Sequence, residues 1–526
     1  MQAGQYRQAD ARAQAGLVKE RLNRLRHGQY RELWDEAVSG AKVPARGKSR
    51  QAQTDATQEE KNAKRATRLA QEGQYTRSLN SLLSAGMAQH NRANIAEMKA
   101  KHPTAQHPLV YQPETTTPQM VLSQSQISKE IKNFRKGTAP GPSGLRAEHL
   151  KVAVKFAPPN RTDKATAAIT KLVNIMGAVK VPDQVAPFLC GARLLGAVKK
   201  DGGIRPIAVG EVLRRLTSKV HSHALADRAA AILSPSQLGV GVPGGCEAIA
   251  HTVRQVVEDG GDDPDLFILQ VDLINAFNMA DRASAFREMD KLFPDCLSWV
   301  LTCYGGEAEL VFGDSIIPSS VGFHQGDPLA SLLFSINLQP VVDMIRQEVP
   351  DLKLQVWYLD DGTLIGTKAD LQKAVDIILR EGPARGLFLS TANTVHFPLM
   401  PKSTIWSPNN ISTSNDPLER GIPLIKDSGI VLLGTPIGDT QFTENWIKKK
   451  IKKVKDLTDR LPLLQDPHVE FVLLRSCLAL PKVMFILRTT DPTRNQLLWQ
   501  EFDNITRETL IRILVSPVDN QQWDQA

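Results

Sequence analysis

The run QVWYLDDGTLIGT at 355–367 constrains this chain more than any other segment. Its apolar and β-branched residues read as two short strands, with Asp-Asp-Gly at the turn between them. Asn and Gly would satisfy such a turn without setting two like charges side by side. Adjacent carboxylates on an apolar hairpin are unfavourable unless a cation compensates them. A third acid, Asp272, ends another apolar strand, LFILQVD. Singly, each of these acids is more often a turn former than a catalyst. Asp272, Asp360 and Asp361 together, at strand ends, suggest a shared site.

The surrounding pattern supports a mixed fold. GARLLGAVKKDGGIRPIAV reads as strand, tight turn, strand, and EVLRRLTSKVHSHALADRAAAIL as a helix. AELVFG and SIIPSSVGF are short strands flanking a Gly-Asp turn. ASLLFSINLQPVVDMIRQEV is a helix, and LQKAVDIILREGPARG is a helix with a glycine stop. Ser125 is expected to cap a helix carrying Ile127, Ile131 and Phe134, ending at Lys136–Gly137. From about 443 the tail is helical, with Ile447, Ile451, Val454 and Leu461 on one face and lysines on the other. Strands alternating with helices, and acids at strand ends, predict an α+β or split βαβ arrangement.

Composition narrows the class. The 526 residues are 42% hydrophobic, enough for several cores and, by length, three or four domains. Five cysteines without CxxC spacing argue against a disulfide scaffold or a zinc finger and fit a reducing compartment. The N-terminus has no apolar signal-like core, and no stretch approaches the length of a membrane span. The formal charge is +8. Residues 1–106 hold 19 Lys and Arg against 10 Asp and Glu, an excess of nine. They read as helices over roughly 11–38 and 59–85 around a polar linker. Such a segment is either a solvated extension or a basic arm that follows a phosphate backbone. Residues 101–120, with four prolines, read as a linker.

Three strand-end acids suit nucleotidyl transfer. That reaction uses two divalent metals about 3.5–4 Å apart, and Mg²⁺ takes hard oxygen ligands while substrate phosphates supply the rest. The chain resembles the reverse transcriptases of non-LTR (LINE-type) retrotransposons over roughly 125–490. TAPGPSGLRAEHL resembles the motif preceding the fingers in that group, and GGIRPIAV the fingers motif. QVDLINAFN resembles the first catalytic motif, GFHQGDPLASLLF the template- and nucleotide-contacting motif, and YLDDG the double-Asp motif. GLFLS resembles the start of the next motif and VLLGTPIG the primer grip.

The resemblance implies a right-hand polymerase with a βαββαβ-like palm and a helical N-terminal extension. It implies an extension over 1–106, linker and fingers over 107–268, palm over 269–440 and helical thumb over 441–526. Asp272 and Asp360 would be the principal ligands of two Mg²⁺ (or Mn²⁺) ions, with the Leu273 carbonyl assisting and Asp361 accessory. Lys199, Lys200 and Arg205 would close over the triphosphate, Arg205 best placed to pair with its oxygens. Phe277 matches the steric gate that favours deoxynucleotides, though it could also be a core aromatic. Gln325 and Gly326 would contact the incoming nucleotide. Tyr358 would lie near the primer terminus, Leu433 and Gly434 would form the primer grip, and Lys448, Lys449 and Lys452 would hold the template–primer duplex. Those lysines also suit a plain solvated face.

Implied partners are an RNA template, a DNA primer and deoxynucleoside triphosphates, with no membrane and with intracellular, nuclear or cytoplasmic, action. No apurinic-type endonuclease, CCHC knuckle or RNase H pattern is read in the sequence, so nicking would come from another domain or protein. Departures from the pattern are YLDD for Phe-Ala-Asp-Asp, Ala330–Ser331 for Ser-Pro, Ser390 for Asn, and Asn393 for a lysine that protonates pyrophosphate. Asn393 makes a degenerate RNA-binding protein the second reading. An RNA-directed RNA polymerase is a third, against which Phe277, TAPGPSGLR and the primer-grip motif speak.

Overall fold

The computed structural model describes residues 16, 19–29, 31–33, 36, 57–83, 87–105, 109–113, 118–155, 159–178, 181–182, 185–198, 202–260, 263, 265–398, 422 and 428–525. The chain divides into two units, Met1–Lys61 and Asn62–Ala526. In the first, Arg21 and Arg24 both pair with Glu36, Arg24 at 2.6 Å. The second unit begins within the segment expected to be an extension.

The centre of the second unit is a four-stranded antiparallel sheet. It contains β3 (Leu266–Val271), β6 (Leu354–Tyr358), β7 (Asp361–Thr367) and β8 (Val395–Pro398), in the order β6-β7-β3-β8. Helix α4 (Ala330–Glu348) connects β3 to β6, and α5 (Lys368–Glu381) connects β7 to β8. The result is the expected βαββαβ arrangement. Two further helices, α2 (Arg282–Leu292) and α3 (Pro294–Tyr304), precede α4 and follow α1 (Val212–Leu233).

Both faces of this sheet are covered, which explains the nearly continuous apolar run of β3. Leu269, Val271, Trp357 and Leu364 join Phe334, Leu338 and Val342 of α4 in one cluster. Ile268, Val356 and Ile365 pack on the other side with Ile249 and Val253, and with Ile430, Leu432 and Ile437 of a second hairpin. That hairpin is β9 (Gly429–Leu432) and β10 (Thr435–Gly438).

A second sheet has the order β2-β1-β4-β5, from β1 (Ala192–Val198), β2 (Ile204–Gly210), β4 (Ala308–Phe312) and β5 (Ser315–Ser319). The β1–β2 hairpin is the one expected around the Asp-Gly-Gly turn. It meets β4 only at its root, where Ala192 and Arg193 pair in parallel with Leu310 and Val311. Near its tip, residues 87–105 are attached. Met87 bridges Ala197, the Ala88 N–H donates to the Gly196 carbonyl at 2.9 Å, and the Ile204 N–H donates to Glu97 at 2.8 Å.

Several boundaries differ from expectation for local reasons. The helix expected to be capped by Ser125 starts at Gln124 and is capped by Ser123, in a reciprocal capping box with Gln126. It stops at Lys132 rather than Lys136. The stretch expected as one helix over 59–85 is two, Gln58–Gln71 and Tyr75–Leu83, broken around Gly73. Helix α6 (Thr440–Thr458) buries Ile447, Ile451 and Val454 together, as expected. Leu461 leaves that face, because a 3-10 turn begins there and carries it into a cluster with Ala66, Leu79 and Leu473.

Two buried guanidiniums knit the second sheet to the centre. Arg214 of α1 donates to Asp327 at 2.9 and 3.2 Å and to the Cys190 carbonyl. Arg282 of α2 donates to the carbonyls of Gly322, Tyr304, Gly306 and Ser319 at 2.9–3.1 Å. Both lie over the Tyr304 ring, at 5.0 and 5.3 Å. Breaking one side of a buried pair leaves an uncompensated charge, which costs about 3–5 kcal/mol. Arg214→Met should therefore lower the thermal denaturation midpoint sharply. Combining it with Asp327→Leu should restore much of the loss, a recovery that a purely packing role for Arg214 would not give.

Candidate active site

The register of β3 on β7 assembles the acids. Val271 lies opposite Gly362, so Asp272, the next residue, emerges beside the β6–β7 turn. The Tyr358–Asp361 pair closes that turn, leaving Leu359 and Asp360 as its two loop residues. The Asp-Asp-Gly turn expected from sequence is thus shifted by one position. Asp361 and Gly362 already belong to β7, and Leu359 takes a left-handed conformation (φ +57°) that a glycine adopts more readily.

The three carboxylates feel one another. Burial, the neighbouring Asp360 and Asp272 push the Asp361 carboxyl up to about 6. Burial and Asp272 raise Asp360, while Arg205 opposes the shift. Arg205, exposed on β2, thus projects its charge onto Asp360. Lys199 and Lys200 lie outside the described residues.

The loop after Asp272 is held from two sides. The Asp272 N–H donates to the Thr394 hydroxyl at 3.1 Å, and the Ser390 N–H donates to the Asp272 carbonyl at 2.9 Å. Leu273 is buried and bridges Leu389. The Asn393 side-chain amide donates to the Asp272 carboxylate at 3.0 Å. Asn393 thus occupies one of that acid's oxygens.

Phe277 stacks on the buried Phe334 of α4, with ring centroids 4.8 Å apart and planes at 17°. It is half-buried, with one face packed on that core ring. Gln325 and Gly326 dock on β2, where the Ala208 N–H donates to the Gln325 carbonyl at 2.9 Å. Gly326 has φ +128°, and a Cβ there would meet the Ala208 carbonyl oxygen at 2.6 Å. Tyr358 is half-buried, and the neighbouring Cys246, with burial, pushes its hydroxyl up.

Leu433 and Gly434 form the two-residue loop of the β9–β10 hairpin, both with positive φ. Lys448, Lys449 and Lys452 share the exposed face of α6, where Lys448 pairs with Glu444 of the same helix at 3.6 Å. None of the described contacts of that helix reaches the acids.

The donor chemistry fits a hard divalent cation. Carboxylate oxygens stand at adjacent strand ends, and their mutual repulsion is what a cation would relieve. Among the described residues, no three of His, Cys, Asp and Glu are grouped to hold a metal ion by themselves. The set suits ions completed by substrate phosphates rather than a closed protein cage.

The residue that holds the turn carries no signal in the sequence. Gln237, in the segment between α1 and the next helix (Gly245–Gly260), is buried. Its amide accepts from the Leu359 N–H at 2.8 Å and donates to the Leu359 carbonyl at 3.0 Å. Beside it, the Trp357 N–H donates to the Ser236 carbonyl at 2.6 Å, and the Leu238 N–H donates to the Trp357 carbonyl at 2.9 Å. A lone glutamine in SPSQLG carries no pattern that would reveal this contact.

Left-handed Leu359 costs about 1 kcal/mol or more, and Gln237 offsets that strain. Gln237→Ala should destabilise the chain by about 1–3 kcal/mol and reduce any catalytic rate by roughly tenfold or more through misplacement of Asp360. Leu359→Gly in the Gln237→Ala background should recover part of both losses, measured by thermal denaturation and by turnover.

The acids also set a pH dependence. Asp361 rises from 3.8 unfolded to about 6 folded, so folding stability falls as pH climbs through that window and the loss is complete above it. Asp361→Asn should raise the denaturation midpoint at pH 7.5 without added metal. The gain should shrink as pH falls and vanish by about pH 3, below both values, where the wild-type carboxyl is protonated in both states.

Residues 197–407 match the family model described as reverse transcriptase (RNA-dependent DNA polymerase). Among solved structures, the chain is similar to telomerase from Candida albicans in complex with a TWJ fragment of telomeric RNA. Sequence identity is 13% and the TM-score 0.36, covering 68% of this chain and 66% of that one. Apo telomerase from Candida tropicalis gives 12% and 0.37, covering 64% of each. The chain thus spans just under two thirds of the telomerase chains it matches. No curated protein matches it. The chain carries a reverse transcriptase domain, within a right-hand polymerase fold of mixed helix and sheet.

Proposed function

We propose that the chain is an RNA-directed DNA polymerase of the non-LTR retrotransposon type, extending a primer 3′-hydroxyl with deoxynucleotides on an RNA template. The observation that carries this reading is the convergence of Asp272, Asp360 and Asp361, with Arg205 acting on Asp360 across the site. In this reading the fingers lie within 107–268, the palm within 269–440 and the thumb within 441–526.

Each residue has a task in it. Asp272 and Asp360 would hold two Mg²⁺ or Mn²⁺ ions, with Asp361 accessory and the Leu273 carbonyl assisting. Bound there, these ions would lower the pKa of the attacking hydroxyl and balance charge on the triphosphate and leaving pyrophosphate. Arg205 pairs with phosphate oxygens. Gly326 lets the backbone approach the nucleotide. Phe277, held flat by Phe334, closes the space a ribose 2′-hydroxyl would need. Tyr358 and the Leu433–Gly434 tip position the primer end, and the exposed lysines of α6 follow duplex phosphates.

Primer extension on a homopolymer RNA template tests the reading. Asp360→Asn with Asp361→Asn should abolish incorporation, and extension that survived the double change would sink the site. Phe277→Ala should raise ribonucleotide incorporation relative to deoxynucleotide. Independently of activity, Mg²⁺ should raise the denaturation midpoint of the wild type more than that of the double variant.

Asn393 favours one second reading, a nucleic-acid-binding protein of reduced catalysis. An amide cannot deliver a proton to pyrophosphate as a lysine would, and here it also engages Asp272. Salt-sensitive RNA binding without extension would support it. Asn393→Lys should then gain extension, and robust wild-type activity would overturn it.

A further inference from the structure

Three elements meet at Arg254. It lies on the helix Gly245–Gly260, next to Val253, which packs with Ile430, Leu432 and Ile437 of the β9–β10 hairpin. Its guanidinium donates to the Pro436 carbonyl of β10 at 3.1 Å and also to the Thr489 carbonyl. Thr489 is the last residue of the helix Leu480–Thr489. One half-buried side chain therefore ties the hairpin to a helix from another part of the chain.

The partners explain why an arginine stands there. The last carbonyls of a helix have no partner within it and form its negative pole. Thr489 is fully buried, so its carbonyl needs a donor from the protein. Arg254 supplies one, and the buried Thr435 hydroxyl approaches the same oxygen at 3.5 Å. A guanidinium carries its donors on a rigid fork and can serve acceptors in two elements at once, whereas a lysine ammonium is a point charge.

The tip of the hairpin meets the same helix one turn earlier. A Cβ on Gly434 would lie 3.8 Å from the Phe485 ring, and the Thr489 hydroxyl donates to the Phe485 carbonyl at 2.8 Å. The hairpin thus touches Leu480–Thr489 at two levels, and Arg254 and Thr435 hold the second. Arg488, beside Thr489, pairs with Glu247 of the supporting helix at 3.4 Å, but its side chain is mostly exposed and it makes no bond to the hairpin.

We propose that Arg254 is a positioning residue for the primer: it fixes the Leu433–Gly434 tip against the helix Leu480–Thr489, and so sets how long the chain stays on a primer–template duplex. The inference rests on the polymerase reading, in which that tip meets the primer end. Arg254 itself touches no substrate.

The test uses the full chain and a fluorescein-labelled DNA primer annealed to a longer RNA template. Duplex dissociation is followed by fluorescence anisotropy, and extension by steady-state kinetics. Arg254→Met should speed dissociation about tenfold and raise the KM for primer–template by a similar factor, with kcat and the KM for deoxynucleotide within about twofold of wild type. Arg254→Lys should recover part of the loss, and Thr435→Val should give a smaller change in the same direction. These two carry the test if Arg254→Met does not fold. Arg488→Gln should leave dissociation unchanged. An Arg488→Gln variant that shifted it as much as Arg254→Met would assign the effect to helix docking alone and overturn the proposal. Extension by the wild type, with dissociation and the primer KM unmoved in the Arg254 variants, would overturn this inference and leave the polymerase reading intact. A chain that holds the duplex and extends nothing would overturn the polymerase reading, while the dissociation ratio still decides the role of Arg254. A wild-type chain that binds no duplex would overturn both.

Discussion

Strands β3 and β7 meet with Val271 opposite Gly362, and the position of every acid follows from that pairing. A slip of one residue would exchange the two faces of each strand. It would drive Leu269 and Val271 out of the α4 cluster, and Ile268 out of the cluster with Ile430 and Ile437. Burial on both faces therefore fixes the register more firmly than the hydrogen bonds alone. Asp272 reaches the turn of β6 and β7 because the apolar residues before it admit no other alignment.

The acids are carried at a cost that the surroundings bear. Asp360 and Asp361 are held against burial and against each other, and Leu359 is held in a conformation that a glycine would take more readily. Gln237 meets both polar groups of Leu359, so the strained residue leaves no unsatisfied backbone. Local strain and like charges at one turn are tolerable when packing over-determines the turn. Further out, Arg214 and Arg282 satisfy carbonyls and Asp327 deep in the fold, trading desolvation for a single arrangement of the 319–327 segment.

Much of this was legible in the residues. Alternation and length identified the β1–β2, β4–β5 and β6–β7 hairpins and the helices between them, because both periodicities are written in the apolar positions. The pairing order of the strands was less direct, since it depends on which apolar faces find each other. The acids stood out because like charges in an apolar hairpin need a reason. Gln237 did not, because its partners are backbone atoms of Leu359, 122 positions later. Phe334 was hidden as one apolar residue in a helix. Ser123 was missed in favour of Ser125 because two serines flank the same helix start and only the reciprocal bond with Gln126 decides between them. The shift of the turn to Leu359–Asp360 was invisible because leucine is a poor candidate for positive φ.

The attachment of the β1–β2 hairpin bears on how Arg205 can move. Two pairs tie its root to β4, while Met87, Ala88 and Glu97 grip it near the tip. A hairpin fastened at both ends is a beam, not a flap. Any displacement of Arg205 toward the acids must bend the sheet or carry residues 87–105 with it. The Asn275 amide, just past Asp272, donates to the Lys101 carbonyl at 2.8 Å, so that same segment is pinned to the loop after Asp272. The stiffness of the Arg205 side of the acid cluster is thereby set from outside the matched domain, by a stretch of chain far ahead of it in sequence.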